Sequence, residues 1–177
     1  MEFTKNRIKI ILSTLEELCW KKTVPLTEVK RSPGDYSFGK TFRKEDFSWE
    51  EYRADQTWGG TDKHYWFLAY AGTSHGMLGQ PLLAVLGTGA DDIWNTDNPQ
   101  ILAYCNGQLT ATMDMNHQEM LLTDCLKEGD VFELAFYAYS NSPWESNFFQ
   151  LKTAVPDEEV IGLYYDMKVV YETAELL

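Results

Sequence analysis

The sequence predicts a mainly β protein: a β-sandwich with one amphipathic helix before it and another after it. Three observations carry that prediction. Runs of strand-forming residues recur at intervals of about 8–12 residues, the spacing of an all-β sandwich. Two of these runs, 101–105 and 108–112, meet at Asn106-Gly107, the strongest short-range hairpin signal. Helix-type periodicity, by contrast, is confined to the two ends of the chain.

In chain order, Ile8, Ile11, Leu12, Leu15, Leu18 and Cys19 repeat at three- and four-residue spacing with charges between them. That pattern predicts a one-sided helix over 3–20, docked on the main domain. Residues 21–56 are polar, with turns marked by Pro25 and by Ser32-Pro33-Gly34-Asp35. Within them Tyr36-Ser37-Phe38 reads as a short strand, Lys44-Glu45-Asp46 as a solvated charge run, and Trp49 and Tyr52 as packed plugs. The run Tyr65-Trp66-Phe67-Leu68-Ala69-Tyr70 is apolar or aromatic on both faces, which places it inside the sandwich. A turn over 72–81 leads to a buried strand at 82–86, broken by Gly87-Thr88-Gly89. Those glycines are not a dinucleotide fingerprint, because the rest of the pattern and a following helix are missing. Strands are expected at 119–122, 131–139 (the longest) and 148–152, with a turn at Glu128-Gly129-Asp130 and a loop over 140–147. Pro156-Asp157-Glu158-Glu159 reads as a helix start, with an Asp cap and acids at the positive end of the dipole. Val160, Tyr164, Met167, Tyr171 and Ala174 then form an apolar stripe. The boundaries read as a helix over 1–20, a sandwich over 21–155 and a second helix over 156–177. The ending Leu176-Leu177 is apolar where termini are usually polar, so a piece of a longer chain is expected.

A chain of 177 residues fits one domain, and its 14% aromatic content suits either strands or a surface that stacks on ligands. The net charge of −12 argues against nucleic acid and against an anionic membrane surface. Cys19, Cys105 and Cys125 have no paired spacing, so buried thiols in a cytoplasmic protein are expected. Lys5, Arg7 and Lys9 precede a short apolar run, but Glu16 and Glu17 end it too early for a signal peptide. No run approaches the ~20 apolar residues of a membrane span.

Three stretches offer chemistry. They are Thr57-Trp58-Gly59-Gly60-Thr61-Asp62-Lys63-His64, the Trp94–Gln100 stretch, and Asp114-Met115-Asn116-His117-Gln118-Glu119. Their Asn, Asp, Trp and His side chains offer donors, acceptors and aromatic faces, the equipment for hydroxyl-rich ligands. Ordinary loops cap themselves with the same residues. The candidate ligand-binding or domain-interface residues are Trp58, Asp62, His64, Trp94, Asn98, Asp114, Asn116 and His117. Asp62-x-His64 and Asp114-x-x-His117 each pair an acid with an imidazole, either as a local hydrogen bond or in a ligand role. No metal-ligand spacing, nucleophile elbow or P-loop occurs, and spacing cannot pick a glycosidase pair out of 27 acids. No catalytic residue, metal site or cofactor is expected in this chain.

The same residues resemble a known family. Thr57-Trp58-Gly59-Gly60-x-Asp62-x-His64-x-Trp66-Phe67 is similar to a segment near the N-terminus of glycoside hydrolase family 38 α-mannosidases of the cytosolic and bacterial type. So is Trp94-Asn95-x-x-Asn98-Pro99-Gln100 with Asn106-Gly107 after it, followed by Asp114-x-Asn116-His117-x-Glu119-x-Leu121-Leu122-Thr123. Leu163-Tyr164-Tyr165-Asp166-Met167-Lys168 looks like the start of the family's linker helix, and the resemblance runs from about residue 20 to the end. Gly72-Thr73-Ser74-His75-Gly76, Cys105 and Cys125 depart from the family's pattern without touching these motifs. The resemblance implies a jelly-roll β-sandwich of the galactose-binding-like kind, with the catalytic domain of the same parent chain as its partner. The zinc ligands and nucleophile of such enzymes lie in that catalytic domain, and their His-x-His-x-Asp-type motif is absent here. The implied function is a non-catalytic domain of a retaining, zinc-dependent enzyme that removes terminal α-mannose, packing on the catalytic domain and shaping its substrate entrance. The alternative is an independent carbohydrate-binding module that takes α-mannosides. Separated from its parent, the domain is expected to expose apolar stripes on its terminal helices, through which a dimer can form.

Overall fold

A computed structural model describes residues 2–74, 76–89 and 99–176. The chain divides into two units: Met1–Thr23 with Ala154–Leu177, and Val24–Thr153. The strands are β1 (Trp20–Pro25), β2 (Val29–Pro33), β3 (Glu50–Tyr52), β4 (Lys63–Gly72) and β5 (Leu82–Gly87), then β6 (Gln100–Cys105), β7 (Gln108–Met113), β8 (Glu119–Thr123), β9 (Val131–Ser140) and β10 (Gln150–Pro156). They form two antiparallel sheets, in the orders β1-β10-β5-β8 and β3-β2-β4-β9-β6-β7. The fold class is therefore the mainly β, two-sheet class the spacing predicts. The central hairpin is β6–β7, with Asn106 and Gly107 both at positive φ (51° and 77°), as a two-residue primed turn requires.

Register decides the core. β4 and β9 pair over ten residues, with Phe67 opposite Phe136 and Ala69 opposite Leu134, and β6 continues the first row with Ala103. Those five side chains are 0–1% exposed. Phe149, just before β10, stacks on Phe67 at 4.0 Å between centroids and meets Phe136 edge-on at 5.2 Å. Aromatic pairs of this kind add about 0.5–1.5 kcal/mol to the burial itself.

Three expectations are corrected. The stretch 21–56, read as polar turns, holds β1, β2 and β3. Its charges find partners far along the chain: Arg31 lies over the rings of Tyr52 and Tyr65 and pairs with Glu50 at 2.6 Å. Tyr36-Ser37-Phe38 is not a strand but a loop, with Phe38 93% exposed. The cysteines are not uniformly buried: Cys19 is buried, Cys105 half-buried and Cys125 exposed, the last in the turn after β8. In addition, the 72–81 turn is anchored by a fully buried Met77.

In the terminal unit, α1 (Glu2–Leu18) and α2 (Glu158–Leu176) pack on each other. Lys5 pairs with Glu175, and Tyr164 contacts Glu16, so the helices run antiparallel. Asp157 is the N-cap of α2, accepting from the backbone N–H of Val160 at 3.2 Å, and its own N–H donates to the carbonyl of Cys19. No helix among the described residues is long and apolar enough to cross a membrane.

Candidate functional site

Alternation along the strands gives the six-stranded sheet a second face. Opposite the core rows run Trp66–Tyr137–Leu102–Thr112 and His64–Tyr139–Gln100, with Leu68–Ala135–Tyr104 beyond them. The loop after β2 covers part of this face. Phe42 stacks on Trp66 at 4.8 Å, Phe47 lies 5.3 Å from the same indole, and Trp49 packs on Phe47. The Trp49 indole N–H donates to the carbonyl of Lys44, which pins the loop in place. Toward the His64 row the cover ends, leaving an open cleft of about 660 Å³.

Tyr137, Tyr139 and Leu102 line this cleft together with Gln100 and Thr112. Asp62, His64 and Asp114 complete its polar lining. Tyr139 is the more accessible ring, since Tyr137 is only 8% exposed and has the ring of Tyr36 against it at 5.3 Å. His64 is held at both nitrogens: Nδ1 by the Tyr137 hydroxyl and Nε2 by Asp62 at 3.3 Å.

The Trp58-Gly59-Gly60 segment sets the position of Asp62. Trp58 is 1% exposed and exchanges backbone hydrogen bonds with Asn147 at 2.8 and 3.1 Å. Its indole N–H donates to the carbonyl of Phe148. Gly59 adopts φ +122°, and a Cβ there would lie 2.8 Å from Asn147 Nδ2 and 3.0 Å from Ser140 Oγ. The segment is a buckle tying this loop to the one after β9. Asp62 itself sits at φ +53°, a conformation short polar residues tolerate.

The second carboxylate is placed by its own turn. Asp114 Oδ1 accepts the backbone N–H groups of Asn116 and His117, each at 2.7 Å, and His117 Nδ1 lies 3.0 Å from it. Burial pushes the Asp114 carboxyl upward, but the His117 ring and the two backbone N–H groups outweigh it, so its pKa lies below the ordinary value. Asp114 is therefore a carboxylate at neutral pH, able to accept hydroxyl protons but unsuited to act as a general acid. Burial, followed by the Asp35 carboxylate, raises the Tyr137 phenol, which stays protonated.

Of the eight residues singled out from sequence, Asp62, His64 and Asp114 line one cleft. Asn116 and His117 form the exposed turn that Asp114 caps. Trp58 is not a ligand platform, because its ring is buried in the buckle. Trp94 and Asn98 lie outside the described residues. Sequence reasoning missed Tyr137 and Tyr139; their alternate spacing in β9 carried the signal, but which face they shared depended on pairing with β4. Among the described residues, no group of three or more His, Cys, Asp or Glu side chains is placed to hold a metal ion.

No protein-family model matches the chain. No curated protein matches it either. Among solved structures, the chain is similar to a Faecalibacterium prausnitzii β-glucuronidase, at 12% identity and a TM-score of 0.46, over 77% of this chain and 32% of the other. The match thus spans about a third of that protein's length.

Proposed function

We propose that this chain is a non-catalytic, carbohydrate-handling β-sandwich domain, and that its cleft receives α-mannosides. The observation that carries the reading is convergence. Two segments of the motif resemblance, about 50 positions apart, deliver Asp62, His64 and Asp114 to one cleft beside Tyr139. Such a set suits a pyranose: an aromatic ring packs against the sugar's C–H face while carboxylate, amide and hydroxyl groups bind its hydroxyls.

The finer reading, resting on the resemblance, is the N-terminal, jelly-roll, galactose-binding-like domain of a retaining α-mannosidase in the cytoplasm. Its partner is then the catalytic domain of the same parent, which holds the zinc. An independent carbohydrate-binding module is the second reading, favoured by the cleft's being built within 24–153 alone.

The test is a titration of the isotope-labelled chain with methyl α-mannoside, followed by NMR. Saturable shifts at His64, Tyr139 and Asp114 are expected, with a dissociation constant of about 1–10 mM for so small a ligand. Tyr139→Ala should weaken binding about tenfold while leaving the fold intact. No shift up to about 50 mM, or shifts scattered away from the cleft, overturns the reading. Release of chromophore from a 4-nitrophenyl α-mannoside by this chain alone overturns its non-catalytic part.

A further inference from the structure

We propose that the paired terminal helices are a homodimer interface, joining two copies of this chain through one apolar flank of the α1–α2 pair. Leu163 and Val170 on α2 stand seven residues apart with Met167 between them, and Ile11 and Leu18 on α1 repeat the same spacing. Seven residues is about two helical turns, so each set forms one stripe. Leu163, Val170, Ile11 and Leu18 are 51, 70, 43 and 55% exposed. A groove of about 330 Å³ runs between the helices, lined by Ile8, Met167, Val170 and Ala174. A second hollow between the helices has a different lining, with Lys9, Glu16, Lys168 and Glu172 around it. The pair thus has a polar side and an apolar side.

Three considerations point to a second copy as the occupant. An antiparallel helix pair has an approximate twofold axis of its own, so a second pair laid on it makes an antiparallel four-helix bundle with a self-complementary contact. The area suffices: a 19-residue helix is about 28 Å long and about 10 Å across, so the face of the pair covers roughly 560 Å². Two copies then bury about 1,100 Å², just above the ~1,000 Å² that a specific interface needs. Charge agrees as well. Two chains of net charge −12 repel least where charge is sparse. On this flank Lys5 is paired with Glu175, leaving Asp166 as the remaining charge of the groove lining.

Sedimentation velocity of the full 177-residue chain, from about 1 to about 100 μM, tests the proposal. The wild type is expected at twice the 20.4 kDa chain mass in the upper part of that range. Val170→Glu and Leu163→Glu, both at exposed positions, should each weaken association about tenfold or more with an unchanged circular dichroism spectrum. Val169→Glu, turned about 100° around α2, should leave it unchanged. A wild type that is monomeric throughout overturns the proposal and leaves the flank to a different chain or domain. So does a dimer indifferent to both Val170→Glu and Leu163→Glu, or one that Val169→Glu dissociates equally.

Discussion

Replacing Gly59 with alanine tests whether the Trp58-Gly59-Gly60 segment is a structural buckle or a ligand contact. At φ +122° an L-residue is strained, at a cost of about 1–3 kcal/mol. The added Cβ would also lie 2.8 Å from Asn147 Nδ2 and 3.0 Å from Ser140 Oγ, two groups that are 1% and 0% exposed and hydrogen-bonded to each other at 3.2 Å. Pushing them apart leaves buried polar atoms unsatisfied, at about another 1–3 kcal/mol. The sum is roughly 2–6 kcal/mol, or a fall in melting temperature of about 2–4 °C per kcal/mol for a chain of this size. Gly39→Ala is the control, because it carries positive φ (77°) but has nothing within 4 Å of the new Cβ. Urea denaturation of the two variants and the wild type, at constant m-value, measures the difference. Gly59→Ala no less stable than Gly39→Ala would refute the buckle and with it the account of how Asp62 is positioned.

Two further outcomes follow from the same structure. Asp114→Ala removes the acceptor for two backbone N–H groups in an exposed turn and should cost about 1 kcal/mol at pH 7. The folded-state pKa of Asp114 lies below its ordinary 3.8, so this contribution is fully present above 3.8 and is lost as pH falls through the lower folded value. Urea melts at pH 7 and pH 3 should therefore show the gap between wild type and variant narrowing in acid; a gap that widens contradicts the capping role. With a thiol reagent under native conditions, exposed Cys125 should react first. Cys105, whose thiol burial pushes upward in pKa, should follow more slowly, and Cys19 should react last. Mass spectrometry after timed labelling gives the order, and early modification of Cys19 would contradict the packing at the end of α1.

The sequence alone determined the elements whose signal is local. Asn106-Gly107 made the β6–β7 hairpin because only residues tolerant of positive φ close a two-residue turn. Asp157 started α2 because its side chain reaches the backbone N–H groups of its own first turn. Both acid–imidazole pairs, Asp62 with His64 and Asp114 with His117, were legible because their partners stand two and three positions apart. The long strands β4 and β9 were legible as buried runs of strand formers.

The tertiary structure alone decided what depends on distant partners. Trp58 looked like a surface aromatic because the Asn147 and Phe148 groups that bury it lie about 90 positions away. β1, β2 and β3 were hidden because their lysines and Arg31 read as loop until sheet pairing and the rings of Tyr52 and Tyr65 supply their partners. The cleft itself is a product of register: one residue of slip in β9 would send Tyr137 and Tyr139 into the core and Phe136 out of it. A period of two marks which residues share a face, but only the pairing of β4, β9 and β6 determines which face is covered and which is left open.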